Sequence, residues 1–490
     1  MSILYIFIGV YLLAMLFVSL YSFAQAHLLY HFLRFRRKKS THPILDFDKL
    51  PKVTVQLPVY NEKYVVKRLI DACAKFNYPK EKLQIQILDD STDETVGIIQ
   101  RELLRYPEVN FQYLHRTDRK GFKAGALKEG LHEATGEFIA VFDADFLPDP
   151  EFILQTVGHF ENPKVGMVQS RWTHLNENYS MLTRLQAFAL DAHFMVEQIG
   201  RNQQEAFINF NGTGGIWRKS CILDAGNWEA DTLTEDLDLS YRAQQKGWKF
   251  IYRPDIVSPA ELPPVMSAIK SQQFRWTKGG AECAMKHLQN VLLNPFPMKV
   301  KIHATAHLLN AVIFIAVLLV SLSSIPIWLG FQMDWIPETY FKYAGGFLVS
   351  FLIIALVYFI ANLSLLDFSL KGVLRFIWEL PLFLSVSMGL AVHNTQAVWE
   401  GITGKKSPFI RTPKYNLSDS KDKWTQNIYN QFKIPLTTYV EAALAFVFTL
   451  IVFLSIRSGT YQMLVFHLML AFGYGLVSWY SFKSYRRVKV

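Results

Sequence analysis

Two kinds of hydrophobic pattern alternate along the 490-residue chain. Long apolar runs occupy residues 3–33 and return near 305–329, 344–366, 376–392, 436–455 and 461–481. Each approaches the ~20 residues a helix needs to cross hydrocarbon. Residues 40–300 instead carry the short runs and mixed polarity of a water-exposed domain. There, residues 53–57, 84–88, 111–114 and 138–142 read as strands, separated by stretches of helical period. Ser91-Thr92-Asp93-Glu94 has the form of a capping box, and Glu235-Asp236 opens a helix over 237–245. Strands alternating with helices predict an α/β domain with a mostly parallel sheet covered on both faces. Such sheets bind ligands at the carboxyl ends of their strands.

The run at 376–392 departs from the others, since it holds Glu379 and Pro381 and ends in His393-Asn394-Thr395-Gln396. If it crossed a membrane, the basic stretch 404–414 and the basic C-terminus would lie on the side opposite the water-exposed domain. Positive charge follows the first apolar run, at Arg34 to Lys39, rather than preceding it. That order suits an anchor with its N-terminus outside, not a cleaved leader. The expected units are therefore an N-terminal transmembrane helix at 1–34, an α/β domain at 51–255, interfacial helices at 256–303 and a membrane region at 304–490. The last holds about four spanning helices, an interfacial or re-entrant segment at 376–398 and a loop at 404–416. The expectation is a multi-pass protein of a plasma or inner membrane with its α/β domain in the cytosol.

Composition agrees. Apolar residues make up 51% and charged residues 19%, too greasy for a soluble enzyme and too charged for a bare helix bundle. The net charge of +10 lies largely beside the apolar runs and is interleaved with no nucleic-acid-reading motif. Membrane lipid, rather than nucleic acid, is the expected neighbour. Cys73, Cys221 and Cys283 are scattered and read as buried thiols in a reducing compartment.

Three acidic sites fall at element ends: Asp89-Asp90, Asp143-Ala144-Asp145 and Glu235-Asp236. Singly, each is explained by helix capping or the helix dipole. Together they invite chemistry. Asp-x-Asp after a buried strand suits a hard cation, Mg²⁺ or Mn²⁺, with positions left open for diphosphate oxygens. The chain carries no glycine-rich phosphate loop of the Walker or Rossmann type. Lys120, Lys123 and Arg275 are thus the candidates to neutralise a diphosphate.

Five motifs in order, Pro58-Val59-Tyr60-Asn61-Glu62, Asp89-Asp90-Ser91, Asp143-Ala144-Asp145, Thr234-Glu235-Asp236 and Gln272-Gln273-Phe274-Arg275-Trp276, resemble the D, D, D, QxxRW series of processive family 2 glycosyltransferases. Lys120 to Gly130, Phe210-Asn211-Gly212-Thr213 and Gly247-Trp248-Lys249-Phe250 are closer to plant cellulose-synthase-like mannan and glucan synthases. The resemblance covers residues 50–290 strongly and the membrane part weakly. It implies a GT-A fold and an inverting hexosyl transfer from a UDP-glucose or GDP-mannose class donor to a β-linked polysaccharide. By that resemblance Tyr60, Glu62, Asp89, Asp90, Lys123, Asp143 and Arg275 bind the nucleotide sugar. Asp143 and Asp145 meet the metal, and Asp236 with Glu235 supplies the catalytic carboxylates. Gln272, Trp276, Asn211, Gly212 and Thr213 bind the acceptor. Phe409 to Lys414 stands where cellulose synthases carry a mobile gating loop, with Arg411, Thr412 and Lys414 as its polar residues; Arg411 and the intervening Pro413 depart from that pattern. Two other readings remain: a glycolipid synthase adding one sugar to a lipid acceptor, and a transporter or scaffold with a degenerate transferase domain.

Overall fold

The computed structural model describes residues 2–35, 46–337, 339–340, 345–365, 369–407, 410–417 and 434–486. The basic residues 36–39 and 487–489, and Phe409, lie outside them.

Seven strands form one sheet in the order β3-β2-β1-β4-β6-β5-β7. They are β1 (Val53–Val59), β2 (Leu83–Asp89), β3 (Phe111–His115), β4 (Phe138–Val141), β5 (Val165–His174), β6 (Gly215–Arg218) and β7 (Lys249–Ala260). β6 runs antiparallel to β4 and β5, and the remaining pairs are parallel. The four expected strands are β1 to β4, each within two residues at either end. The sheet is therefore mostly parallel, with one reversed strand in its interior.

Thr54, Gln56, Gln84, Gln86 and Gln112 give β1, β2 and β3 an alternation that, in an exposed sheet, would mark a wet face. Thr54, Gln56 and Gln86 are instead fully buried. They bond one another across the strands: Thr54 Oγ1 donates to Gln84 (2.7 Å), Gln56 Nε2 to Gln86 (3.0 Å), and Gln84 and Gln86 to Gln112 (2.6 and 3.0 Å), with Gln56 Oε1 left over. A paired amide ladder of this kind tolerates burial. The helix Phe122–Glu133 covers it closely because Gly130 has no side chain; a Cβ there would lie 2.7 Å from Gln56 Nε2.

The expected capping box does not form. The helix begins at Thr95, whose N–H donates to Asp93 Oδ1 at 3.0 Å, and Glu94 before it makes no side-chain cap. Ser91 Oγ instead accepts from the Asn61 N–H (2.8 Å), and Thr92 N–H donates to Asn61 Oδ1 (2.8 Å). Pairing with the loop after β1 takes the hydroxyl that the local pattern assigned to the helix.

Among the described residues, six helices are long and apolar enough to cross a membrane: Ile3–Phe35, Asn310–Gln332, Gly345–Leu365, Leu370–Gly389, Leu436–Ser458 and Leu464–Tyr485. The first docks on the sheet domain. Leu28, Leu29 and Phe32 share a buried cluster with Phe194 and Ile199, and with Val357 and Ala361 of a second apolar helix. The segment expected at 376–398 is two helices, Leu370–Gly389 and Ala391–Ile402. The first lies between the sheet domain and the last apolar helix, where Gly389 approaches Gly473 and Val386 meets Val477. Arg375 reaches Glu177 at 2.5 Å, while Val386 and Leu390 pack with Leu182, Leu185, Met266 and Ile269.

Candidate active site

The strand ends open into one cleft of about 1240 Å³. Tyr60 and Glu62 follow β1, Asp90 follows β2, and Asp143 and Asp145 follow β4. Glu235 and Asp236 begin the helix Glu235–Gln245, and Gln272, Arg275 and Trp276 stand on the helix Met266–Leu293. All of these line the cleft, joined by Lys123, Asn211, Gly212, Arg411, Thr412 and Lys414.

Two of the expected site residues do not line it. Asp89 is fully buried, and its carboxylate accepts from the Ser91 N–H (2.9 Å) and the Tyr113 O–H (2.7 Å). Thr213 is likewise buried, its hydroxyl accepting from the Asp143 N–H at 2.9 Å. Both hold backbone at the cleft's rim. Lys120 is exposed and outside the lining, whereas Lys123 lies inside.

Lys123 Nζ is 2.7 Å from Asp143 and 3.7 Å from Glu235, and donates to the Gly212 carbonyl at 2.8 Å. Burial alone would lower the ammonium's pKa, but Asp143 and Glu235 outweigh it and raise it. Gly212 has φ of +78°, and a Cβ there would stand 3.2 Å from Asp236 Oδ2. The wall beside the carboxylate is bare backbone. Burial, followed by the neighbouring Glu235 carboxylate, pushes Asp236 up to about 7.

The segment 410–417 closes one side of the cleft, with Arg411, Thr412 and Lys414 in its lining. Arg411 pairs with Glu62 at 2.5 Å and Lys414 with Asp145 at 2.5 Å. Arg275 Nη2 donates to Thr412 at 2.7 Å, and the Tyr415 N–H to Glu261 at 2.7 Å. Burial still pushes Glu62 up to about 7, with Arg411 and Lys414 working against it. Asp145 Oδ1 is buried without a hydrogen-bond partner. A second acidic group, Glu229, Asp231 and Asp238, lies outside the cleft and surrounds the Lys286 ammonium at 2.7, 2.8 and 2.8 Å. That cation stands where a metal would sit.

Sequence reading passed over Arg119, Trp172, His174 and Glu261, all of which line the cleft. Glu261 directly follows β7, so the rule of strand carboxyl ends would have found it had β7 been recognised. Arg119 carried no such signal, because a turn decides where it points.

A mostly parallel sheet with Asp-Ala-Asp at a strand's carboxyl end, joined to several apolar helices, defines a GT-A-type domain on a membrane-helix scaffold. Residues 51–279 match the family described as glycosyltransferase like family 2. A probable glucomannan 4-beta-mannosyltransferase of Oryza sativa subsp. japonica is 34% identical over 430 residues, 79% of this chain and 73% of its own length. A second from that organism is 46% identical over 250 residues, 50% of this chain and 43% of its own length. A glucomannan 4-beta-mannosyltransferase of Arabidopsis thaliana is 41% identical over 264 residues, 51% of this chain and 49% of its own length. The chain thus spans about half the length of several curated relatives it matches. In fold it is similar to a solved mannosyltransferase from Pyrobaculum calidifontis, in complex with GDP-Man and Mn²⁺, with a TM-score of 0.57 and 18% identity, over 81% of this chain and all of that one. The chain belongs to glycosyltransferase family 2.

Proposed function

We propose that the chain is an inverting glycosyltransferase that moves a mannosyl group from a nucleotide-sugar donor of the GDP-mannose class onto a growing β-linked mannan or glucomannan. The observation that carries this reading is the convergence in one cleft of Asp143, Asp145, Asp236, Arg275 and Trp276, which come from one strand end and two helices. The names of the curated relatives support mannose over glucose.

Each side chain has work it is suited to. Asp236 takes the proton from the acceptor hydroxyl, a poor nucleophile until a positioned carboxylate accepts it. Bare backbone at Gly212 leaves room for that hydroxyl beside Asp236. Lys123 and Arg275 offset the charge that develops on the departing diphosphate. Trp276 offers a flat apolar face to the acceptor sugar. An α-linked donor and one inversion yield a β-linkage.

A divalent cation, Mg²⁺ or Mn²⁺, fits this site. Asp143 and Asp145 offer hard oxygen ligands two residues apart, and the unpartnered, buried Asp145 Oδ1 is a ligand atom in waiting. When bound, the cation acts as a Lewis acid on the diphosphate. Lys414 at Asp145 and Arg411 at Glu62 meanwhile keep those carboxylates paired, as a lid does before its ligand arrives.

In the membrane, this reading keeps five spanning helices and lays Leu370–Gly389 in the interface, with the cleft, the 404–416 loop and the C-terminus in the cytosol. The pairing of Arg375 with Glu177, together with the packing of Val386 and Leu390 on Met266 and Ile269, supports it. A helix whose Arg375 and Glu379 pair with Glu177 and Arg184 of a water-exposed domain is suited to an interfacial position.

The test is transfer by the full chain in lipid, using radiolabelled GDP-mannose and UDP-glucose, with the product sized and digested. The expected product is a long, β-mannanase-sensitive polymer made from GDP-mannose. Singly glycosylated lipid across a wide donor range would establish the glycolipid reading instead. No transfer from either donor would overturn both.

A further inference from the structure

The parallel strand order β3-β2-β1-β4 lays out the cleft as a line, with the β4 carboxylates at the diphosphate end and the termini of β1, β2 and β3 beyond them. On the proposed function, the donor's nucleobase lies at that far end. The side chain after β3 that lines the cleft is Arg119.

Arg119 is held in place with unusual care. Its guanidinium carbon lies 3.3 Å from the centroid of the Tyr60 ring and 5.0 Å from that of Phe122. A planar cation on an aromatic face is favoured, and both rings lose freedom by it. The turn beneath is tight. Gly121 has φ of +73°, and Phe122, a bulky residue, has φ of +51°. The Phe122 N–H donates to the Arg119 carbonyl at 3.1 Å. A Cβ on Gly125 would stand 2.0 Å from the Lys120 carbonyl oxygen. Arg116 clips the turn, donating to the Lys120 carbonyl at 3.3 Å and the Phe122 carbonyl at 3.0 Å. It also grips Asp90 through both carboxylate oxygens, at 2.7 and 2.6 Å. Left-handed backbone at a non-glycine residue is strained and collects at functional sites. Here that strain fixes the place of one guanidinium.

A guanidinium fork laid flat presents its N–H edge in the plane a nucleobase would share. Guanine offers two adjacent acceptors, O6 and N7, whose spacing matches that fork, whereas uracil has no such adjacent pair. We infer that Arg119 selects the donor's base, preferring a guanine nucleotide over a uracil nucleotide through a bidentate contact to O6 and N7. Tyr60 and Arg116 act through it as positioning residues: one supports the plane, the other holds the turn.

The test is equilibrium binding of GDP, UDP and 7-deaza-GDP to the full chain in lipid nanodiscs with divalent cation, for the wild type, Arg119→Gln and Arg119→Lys. The wild type is expected to prefer GDP over UDP. Arg119→Gln should weaken GDP by about ten- to a hundredfold and UDP by less than threefold. Arg119→Lys keeps the charge but loses the fork, so GDP affinity should fall almost as far. 7-Deaza-GDP, lacking the N7 acceptor, should bind the wild type more weakly than GDP does and show no such deficit in Arg119→Gln. Equal losses for GDP and UDP would assign Arg119 to the phosphates and overturn the inference. So would a wild type that binds 7-deaza-GDP as tightly as GDP, a comparison that needs no variant to fold. Binding of UDP without any preference for GDP overturns the base selection while leaving a nucleotide-sugar transferase. Binding of neither nucleotide overturns the proposed function as well.

Discussion

Asp236 is both the proposed base and a carboxylate that its surroundings resist ionising. Burial and Glu235 push it up to about 7, and a base works only when ionised. Transfer should therefore rise with pH through about 7 and then level, in contrast to the plateau from pH 5 upward that an unshifted aspartate near 3.9 would give. Glu235→Gln removes the neighbouring negative charge, so the rising limb should move to lower pH; an unmoved limb would assign it to another group. Asp236→Asn should lower transfer by about 10² to 10⁴ with donor binding preserved, and activity within threefold of wild type would remove the residue from the role. At Asp145, the expected outcome is loss of turnover in EDTA and recovery with Mg²⁺ or Mn²⁺, while Asp145→Ala weakens nucleotide-sugar binding chiefly when metal is present. Full activity after exhaustive chelation would contradict a metal site. These carboxylates were legible because they stand at strand or helix ends, where an acid has either a cap to make or a ligand to hold. Asp89 was legible as an acid but not as a buried one, since Tyr113 reaches it only once β2 and β3 pair.

Helices carry half of this site, and their placement is a matter of close approach. On the helix Met266–Leu293, Gly279 faces Thr234, the residue before Glu235 and Asp236; a Cβ there would come within 2.5 Å of the threonine side chain and 2.9 Å of its backbone nitrogen. Gly279→Ala must displace the loop that delivers the base, at about 1–3 kcal/mol of overpacking. Transfer is expected to fall at least tenfold with donor binding little changed, and wild-type kinetics would show that the loop yields without consequence. The same helix pins the helix Glu235–Gln245 through Asp238. Burial would raise that carboxyl, but His287, Arg242 and Lys286 hold it well below the usual carboxylate range. A depressed folded pKa contributes stability that is present above the unfolded value near 3.9 and lost as pH falls through the folded one. Asp238→Asn, which removes the buried carboxylate that Arg242 and Lys286 share while Lys286 keeps Glu229 and Asp231, should cost about 1.5–3 kcal/mol and lower the melting temperature at pH 7. An unchanged melting point would show the cage to be solvated. Neither contact was visible in the chain's pattern, because both join segments more than forty residues apart.

At the scale of the whole chain, an enzyme domain packs against apolar helices long enough to cross a membrane. Cysteines placed singly in a cysteine-free background test its sidedness: a label applied from outside intact cells should miss Ser407 and reach Gly459, in the turn between the last two spanning helices. Labelling at Ser407 would mean that Leu370–Gly389 crosses, and the interfacial assignment would fall. Hydrophobic period alone was enough to separate membrane helices from an α/β unit, to mark β1 to β4 within two residues at either end, and to set the acidic motifs at strand and helix ends. Those features depend on local pattern, which the chain carries residue by residue. β5, β6 and β7 escaped it: β6 is only four residues long, and β7 contains Pro254 and Pro259. The burial of the glutamine ladder, the failed capping box, the seating of Arg411 and Lys414 on Glu62 and Asp145, and the stack of Arg119 on Tyr60 were decided in three dimensions. Each is a contest between local and distant partners for one polar group, and only the folded chain sets the distances that determine which partner wins.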